Sequence, residues 1–266
     1  MSKVIAITNQ KGGSGKTTTT RELGFGLARK GKKVLMIDSD PQGSLSVSLG
    51  VGTESELEYS LCDVLTAFAR GEEDTIDFER GIFHHEEGVD LMPCNINLCK
   101  AESELNSMKL GGNLALRYYV DEMKKKYDYI LIDCMPSLQI LPLNAFACAD
   151  SVLIPVKPDF LNVMGMNELM RTLDNVIRKF AVNPKLDIEG IVFTQVDSRR
   201  NNDRYFMDYF REQFGNKIRF FESTIPLTVK GSEVSFSGVS IYKYDAKSKL
   251  AESYEGLTEE VIADEQ

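Results

Sequence analysis

The sequence predicts a single α/β domain over residues 1–266, in which a doubly wound, mostly parallel β-sheet is flanked by helices. Short apolar runs alternate with longer segments of helical periodicity, which is typical of strand–helix–strand units. The runs carry apolar residues on both faces, as buried parallel strands do. The length suits one large domain, and the chain contains no linker-like stretch and no internal repeat.

The first half begins with a strand at 4–7, an apolar run that ends in a glycine-rich loop. A helical pattern covers 16–29 and is closed by a glycine C-cap. A second buried strand at 33–37 ends in acidic residues, and a third strand is expected at 89–92. Between these two strands, residues 50–87 are the least regular part of the chain.

The second half continues the alternation of strands and helices. An amphipathic helix at 113–127 precedes an apolar strand at 129–133 that ends in a carboxylate. A strand at 151–156 follows, and then a long run with apolar residues at helical spacing covers 162–181. The remaining elements are expected to be a strand at 188–194, a helix at 203–214, a strand at 220–226 and a C-terminal helix at 246–261.

The composition excludes several classes of protein. The chain is 42% hydrophobic and 27% charged, with 31 Lys and Arg against 40 Asp and Glu and a net charge of −9. These values are typical of a globular protein and not of a collagen-like, low-complexity or disordered chain. No stretch reaches the roughly 18 apolar residues of a membrane span, and the N-terminal strand leaves no room for a signal peptide. We therefore expect a cytoplasmic protein.

The cysteine and histidine residues do not indicate a disulfide framework, a metal site or a catalytic triad. The 5 Cys residues are odd in number, have unrelated spacings and include no Cys-x-x-Cys, so we expect reduced thiols that mostly fill the core. The 2 His residues, His84 and His85, are adjacent and have no ligand-spaced partner. We expect both in an exposed loop, which argues against a histidine zinc site or a Ser-His-Asp triad.

A glycine-rich segment, residues 11–18, lies between the first strand and its helix. Glycines let backbone N–H groups turn around phosphate oxygens, and the helix N-terminus adds positive potential. In such a P-loop Lys16 reaches the β- and γ-phosphates, and the Thr17 hydroxyl binds Mg²⁺. The segment departs from the standard loop at Gln10, where glycine is usual, and it has an additional lysine, Lys11. The predicted nucleotide-binding residues are Lys11, Gly12, Gly13, Ser14, Gly15, Lys16, Thr17 and Thr18.

Carboxylates end two strands of the predicted sheet. Asp38 and Asp40 follow the second strand, and Asp133 ends the strand at 129–133. Beside a phosphate loop, carboxylates at the carboxyl edge of a sheet hold a Mg²⁺ shell or orient a water, although a helix N-cap and turn also accounts for Asp40. The predicted Mg²⁺ ligands are Thr17, Asp40 and Asp133. Adenine contacts are assigned to Asp197 and Pro226 only because they lie in loops after late strands.

The charges are unevenly distributed along the chain. Residues 54–80 hold nine acidic and two basic residues, and residues 251–266 hold six acidic and no basic ones. Residues 171–230 hold eleven basic and eight acidic residues, so this part is net positive. Overall acidity argues against gross affinity for nucleic acid or anionic membrane, but it allows a local basic face. The candidate residues of such a basic face are Arg199, Arg200, Arg204, Arg219 and Lys230.

Five segments resemble the ParA/Soj family of DNA-partitioning ATPases, whose phosphate loop is a deviant Walker A box. The resemblance extends nearly from end to end and keeps the order of the family. The segments are AITNQKGGSGKT at 6–17, IDSDPQG at 37–43, YILIDCMPS at 129–137, DSVLIPV at 150–156 and YDAKSK at 244–249.

The resemblance implies a P-loop NTPase that binds ATP or ADP with Mg²⁺ and forms an ATP-dependent sandwich homodimer. The dimer would bind DNA without sequence preference, associate with the nucleoid, and hydrolyse ATP when a ParB-type partner stimulates it. The candidate DNA-binding residues are then those of the basic face: Arg199, Arg200, Arg204, Arg219 and Lys230. Lys11 would reach the phosphates in the other subunit, as an arginine finger does. The implied catalytic residues are Lys11, Lys16 and Asp40, with Thr17 on Mg²⁺ and Asp133 as the Walker B carboxylate.

Four positions depart from the family pattern. Ser14 replaces the usual valine of the box and is small enough to be tolerated. Met135 stands where proline is usual and Gln139 where glycine is usual, in the loop that resembles the second switch. Leu227 stands where the family often has arginine, so one positive charge is missing from a segment associated with DNA binding.

Other classes of protein share some of these features. A MinD-like membrane-cycling ATPase, the main alternative, needs a basic C-terminal amphipathic helix, whereas residues 251–266 are acidic. An iron–sulfur ATPase needs paired cysteines, and only Cys134 is suggestively placed. A tyrosine kinase needs a tyrosine-rich tail, but Tyr242, Tyr244 and Tyr254 are at core-like spacing. A non-catalytic or operator-specific DNA-binding protein is disfavoured because no helix-turn-helix precedes the first strand.

Overall fold

The computed structural model describes residues 2–52, 57–179 and 182–264, and its strands form one sheet. In chain order the strands are β1 (Lys3–Ile7), β2 (Val34–Ser39), β3 (Phe83–His84), β4 (Val89–Met92), β5 (Tyr129–Cys134), β6 (Ser151–Val156), β7 (Asp187–Val196) and β8 (Phe220–Pro226). Their order across the sheet is β3-β4-β2-β5-β1-β6-β7-β8. Neighbouring strands are parallel except for β3 with β4. The predicted doubly wound, mostly parallel sheet is confirmed.

The helices cover both faces of this sheet. They are α1 (Lys16–Arg29), α2 (Ser44–Ser48), α3 (Leu61–Arg70), α4 (Leu98–Ser107), α5 (Ala115–Met123), α6 (Ile140–Cys148), α7 (Phe160–Asp174), α8 (Asn201–Phe214), α9 (Val229–Val234), α10 (Ile241–Tyr244) and α11 (Lys249–Ala263). A π-helical turn, Asn175–Lys179, continues α7. The predicted helix at 162–181 thus begins two residues late, and its positions 180 and 181 lie outside the described residues.

Alternate residues of each central strand enter different hydrophobic cores. Ile130 and Ile132 of β5 belong to the core beneath α3 to α8, whereas Leu131 belongs to the core beneath α1 and α11. All three side chains are fully buried. Because both faces are covered, the strands have no polar face, which explains the continuous apolar runs of the sequence.

Several helices were missing from the sequence prediction. In α6 nearly every residue is buried, so the segment has no polar face and no amphipathic signal. The helix α3 lies within residues 50–87, which were expected to be irregular. Its start and end signals are local: Ser60 and Asp63 form a capping box, and Gly71 ends the helix with φ of 71°.

The expectation that both histidines lie in an exposed loop is wrong. His84 is exposed but belongs to β3, and its Nδ1 lies 2.6 Å from Asp90 Oδ1. His85 is buried, and its Nε2 lies 2.8 Å from the carbonyl oxygen of Gly238. His85 therefore attaches the β3–β4 hairpin to the segment between α9 and α10, a long-range contact that local sequence does not signal.

The parallel strands bring the loops that follow them to one edge of the sheet, the carboxyl edge. The loops that follow β1, β2, β5, β7 and β8 all start there, because these strands are parallel to one another. No helix in the described part of the chain is long and apolar enough to cross a membrane. The strands β1, β5 and β2 are neighbours, so the glycine-rich loop and the acidic strand ends meet at this edge.

Candidate nucleotide-binding site

The glycine-rich loop connects β1 to α1 and takes the backbone shape that a phosphate cradle requires. Gly13 and Gly15 have φ of +74° and +84°, a region that other residues avoid. A Cβ atom at Gly12 or Gly13 would meet nothing within 4 Å, so open space lies beside this part of the loop. Loop and space together fit the phosphate chain of a nucleotide.

Side chains at the end of β7 hold this loop in place. The Thr194 hydroxyl donates to the carbonyl oxygen of Ser14 at 2.7 Å, and the Gln195 amide donates to that of Gly13 at 2.5 Å. Among the described residues Gln195 alone has a positive φ without being glycine, 54°, a strained backbone that aims its side chain at the loop. Sequence analysis missed both residues, because only the sheet order places β7 near the loop.

The two lysines of the loop lie in different environments. Lys16 is buried, and its Nζ donates to the carbonyl oxygen of Lys11 at 3.2 Å. Burial lowers the pKa of Lys16, and the charges of Asp133 and Asp40 oppose that shift. Lys11 is half-buried, and its ammonium makes no hydrogen bond or ion pair with any described residue. Lys16 is therefore part of the loop interior, and Lys11 is a cation at its rim.

The carboxylates of β2 and β5 lie side by side. Asp38 and Asp133 are direct neighbours in the register of the two strands, and both are buried. Burial is the main cause that raises the pKa of Asp133, and the charge of the neighbouring Asp38 raises it further. Asp133 Oδ1 accepts a hydrogen bond from the Thr20 hydroxyl at 3.3 Å, whereas Asp133 Oδ2 is buried with no partner among the described residues.

The unpartnered Asp133 Oδ2 indicates that the residues of this site fit a magnesium ion. A buried carboxylate oxygen without a donor is costly unless a cation or water completes it. Thr17 lies in the first turn of α1 beside Asp133, so its hydroxyl and the Asp133 carboxylate supply oxygen ligands of the kind Mg²⁺ takes. Mg²⁺ usually completes its shell with phosphate oxygens and waters rather than with a closed protein cage. The residues therefore fit the ion.

Asp40 lies in the loop that follows β2 and is held by its backbone. Its carbonyl oxygen accepts hydrogen bonds from the backbone N–H of Gly43 at 2.8 Å and from the Cys94 thiol at 2.8 Å. Its carboxylate accepts the backbone N–H of Gln42 at 3.0 Å. Asp38 supports the same loop, because Asp38 Oδ2 accepts the backbone N–H and the hydroxyl of Ser46 in α2 at 2.8 and 2.7 Å.

Asp197 and Pro226 come together at the ends of β7 and β8. Val196 is paired with Pro226, and the Leu227 backbone N–H donates to the carbonyl oxygen of Val196. Both predicted adenine contacts thus lie at the carboxyl edge on the β7 side of the loop. The Asp197 carboxylate is already engaged, since Arg199 Nε donates to it at 3.0 Å.

The five candidate DNA-binding residues do not share one surface. Arg199, Arg200 and Arg204 lie at the start of α8 and Lys230 lies in α9, all after the carboxyl ends of β7 and β8. Arg219 precedes β8 and therefore lies at the opposite end of the sheet. Four of the five residues pair with acidic residues: Arg199 and Arg200 share Asp197, Arg219 pairs with Glu260 and Asp264, and Lys230 pairs with Asp245.

Comparison with known proteins places the chain in a family. A family model described as an AAA domain matches residues 2–188. The chain is 38% identical to the sporulation initiation inhibitor protein Soj of Bacillus subtilis, with 99% of both proteins covered. It is 37% identical to the chromosome partitioning protein ParA of Caulobacter vibrioides, with 99% of this chain and 95% of ParA covered.

The fold agrees with that of a solved structure. The cobyrinic acid a,c-diamide synthase of Mycobacterium smegmatis, with a bound ATP analogue and magnesium, superposes with a TM-score of 0.83 and 30% identity over 97% of this chain and 93% of the other. The fold and the phosphate loop thus define a P-loop ATPase. The chain belongs to the ParA/Soj family of these ATPases, and the predicted enzyme class and the predicted ATP or ADP and Mg²⁺ are confirmed at this level.

Proposed function

We propose that this protein is an ATP-dependent switch for DNA partitioning, which dimerises with ATP, binds DNA without sequence preference and is reset by hydrolysis. The observation that carries the proposal is the second loop lysine, Lys11. A P-loop needs one lysine for its own phosphates, and Lys16 occupies that interior position. Lys11 is left at the rim, where the phosphates of a second subunit would meet it.

An exposed apolar surface beside Lys11 supports dimerisation. Phe160, Leu161 and Met164, at the start of α7, are 60%, 56% and 60% exposed. The next residue, Gly165, is close enough to the loop that a Cβ atom there would lie 3.9 Å from Lys11 Cγ. Apolar patches of this kind mark protein interfaces, so a second copy of the chain is the occupant that would also bring Lys11 to its phosphates.

The site residues are assigned roles from their positions. Lys16 neutralises phosphate charge, Thr17 and Asp133 hold Mg²⁺, and Asp40, in a half-buried loop at the edge of the same site, orients the attacking water. When bound, Mg²⁺ neutralises charge that develops on the phosphates. We assign adenine contacts to the loops of Asp197 and Pro226, where Pro226 is the freer of the two to contact a base. We also propose that residues 1–266 form a single ATPase domain.

DNA binding is assigned to the surface formed by Arg199, Arg200, Arg204 and Lys230. Arg204 makes the main contribution, because it is exposed and pairs with no described acidic residue. Arg199 and Arg200 share one carboxylate, that of Asp197, so together they keep a net positive charge. Two copies in a dimer double the number of phosphate contacts, which makes binding depend on ATP and on salt. The ATP-bound protein would then be associated with the nucleoid in the cytoplasm, and a ParB-type protein would stimulate hydrolysis.

Gel filtration with and without ATP and Mg²⁺ tests the proposal. The wild type should shift from monomer to dimer with ATP, and Asp40→Ala should remain a dimer because it cannot hydrolyse the nucleotide. Lys11→Ala should bind ATP but stay monomeric. An ATP-bound wild type that remains monomeric, or a Lys11→Ala variant that dimerises and hydrolyses ATP normally, would contradict the proposal.

A further inference from the structure

Two charged residues of α1, Arg21 and Glu22, are completely enclosed. Arg21 is 1% exposed and Glu22 is 0% exposed, although α1 follows directly from the phosphate loop. Burying an ion pair costs desolvation energy, and apolar residues of similar size in its place often give the same stability or more. The role of the Arg21–Glu22 pair therefore has to be sought in its hydrogen bonds.

The pair connects three parts of the molecule. Arg21 Nε and Nη2 donate to Glu22 Oε1 at 2.9 and 2.5 Å, so the carboxylate holds the guanidinium in one orientation. Arg21 Nη1 donates to the carbonyl oxygen of Val234 in α9 at 2.9 Å and to that of Ser48 in α2 at 3.4 Å. Glu22 Oε2 accepts the backbone N–H of Ile241 in α10 at 2.9 Å.

The contact with Ser48 links the pair to the Asp40 loop. Asp40 is followed by Gly43, the N-cap of α2, and Ser48 is the last residue of α2. Asp38 binds the first turn of α2 through Ser46, and Arg21 binds its last carbonyl group. The short helix is thus held at both ends.

A cavity of about 370 Å³ lies between the phosphate-loop helix and this segment, lined by Thr17, Thr18, Arg21, Gln42 and Ser44 and by the exposed Phe236. Leu45 of α2 and its C-cap Leu49 pack into the core that α1 also enters, whereas this space is not filled by side chains. The guanidinium is the polar contact that spans this junction from α1.

We propose that Arg21 is a positioning residue for ATP hydrolysis: it fixes α2, and with it the Asp40 loop, at a set distance from the phosphate loop, and Glu22 keeps its guanidinium aligned. The proposal rests on the role proposed for Asp40. The Arg21 guanidinium hydrogen-bonds to Glu22, Ser48 and Val234 and to no described residue of the phosphate loop. Its loss should therefore slow hydrolysis without weakening ATP binding.

The test compares four variants with the wild type in single-turnover hydrolysis and ATP-binding calorimetry. Arg21→Lys keeps a cation beside Glu22 but has one ammonium for the three acceptors that the guanidinium joins. The double variant R21M/E22Q removes both charges, so no buried charge is left unpaired. Arg29→Lys, on the exposed end of the same helix, is the matched control, and Asp40→Ala is the reference for lost hydrolysis.

Arg21→Lys and R21M/E22Q should hydrolyse ATP about 10- to 100-fold more slowly, with an unchanged Kd for ATP. Hydrogen exchange should become faster in residues 40–52 and stay unchanged in β1. Wild-type hydrolysis in both Arg21 variants together with an inactive Asp40→Ala would overturn the positioning role alone. A parallel loss of binding and hydrolysis, or the same loss in Arg29→Lys, would also overturn it. Normal hydrolysis by Asp40→Ala would instead refute the role proposed for Asp40.

Discussion

Replacing Ser46 with alanine should destabilise the protein through two hydrogen bonds that meet at one hydroxyl. Ser46 is 2% exposed and lies in the first turn of α2. Its hydroxyl donates to Asp38 Oδ2 at 2.7 Å and accepts the backbone N–H of Cys94 at 3.1 Å. The Ser46→Ala variant therefore removes a donor from a buried carboxylate and leaves a buried backbone N–H without its acceptor.

The size of the effect follows from these two losses. A hydrogen bond to a charged group contributes about 1.5–3 kcal/mol, and an unsatisfied buried N–H costs about 1–3 kcal/mol. Together they predict a loss of about 2.5–6 kcal/mol in the free energy of unfolding. At about 2–4 °C per kcal/mol for a chain of this size, Tm should fall by roughly 5–24 °C.

The matched control is Ser48→Ala in the same helix. Ser48 is also buried, but its hydroxyl donates only to the carbonyl oxygen of Leu45, within the helix, at 2.8 Å. Such a local bond adds little to helix stability, so the variant should lose no more than about 1 kcal/mol. The assay is thermal unfolding followed by circular dichroism in nucleotide-free buffer at pH 7.5. If both variants melt within a degree or two of each other, the reasoning about Asp38 and Cys94 is refuted.

Three further predictions concern nucleotide, DNA and pH. Lys16→Ala should lose ATP binding in calorimetry, because it removes the cation inside the loop, whereas Lys11→Ala should still bind ATP. Equal losses in the two variants would refute the different roles of the two lysines. In DNA shift assays with ATP across a salt series, Arg204→Glu should weaken binding and reduce the slope of log affinity against log salt by about 0.9 per lost contact. Arg219→Glu should have little effect, and the reverse order would refute the assigned surface. Burial raises the pKa of Asp38 to about 6. A carboxyl group with a higher pKa in the folded than in the unfolded state makes stability fall as pH rises, here between about pH 4 and about pH 6. Denaturant midpoints should show that fall in the nucleotide-free wild type and a smaller one in Asp38→Asn, and identical profiles would contradict it.

The phosphate loop and its helix could be predicted from the sequence because the signals are local. Glycines at 13 and 15 are needed for positive φ, and α1 covers the predicted residues 16–29. The strand ends could be predicted as well, since apolar runs followed by Asp38 and Asp133 mark the carboxyl edge of a parallel sheet. The family resemblance rested on these same segments.

The basic surface shows where reasoning from composition fails. Residues 171–230 are net positive, but the chain reverses direction within them, so Arg219 is carried to the far end of the sheet from Arg204. Acidic residues from distant segments, such as Asp245 and Asp264, then pair with the basic ones. A charge count along the chain does not show which way a side chain points or which residue it pairs with.

Local sequence signals specify the chemistry of this protein: the phosphate loop, the acidic strand ends and the parallel sheet that joins them. Which groups support that chemistry depends on the three-dimensional arrangement of the chain. Thr194 holds the carbonyl oxygen of Ser14 across 180 residues, and Glu22 holds the backbone N–H of Ile241 across 219. The physical reason is that glycine conformation and apolar periodicity act between near neighbours in the chain, whereas such hydrogen bonds form only after the sheet order has brought distant segments together.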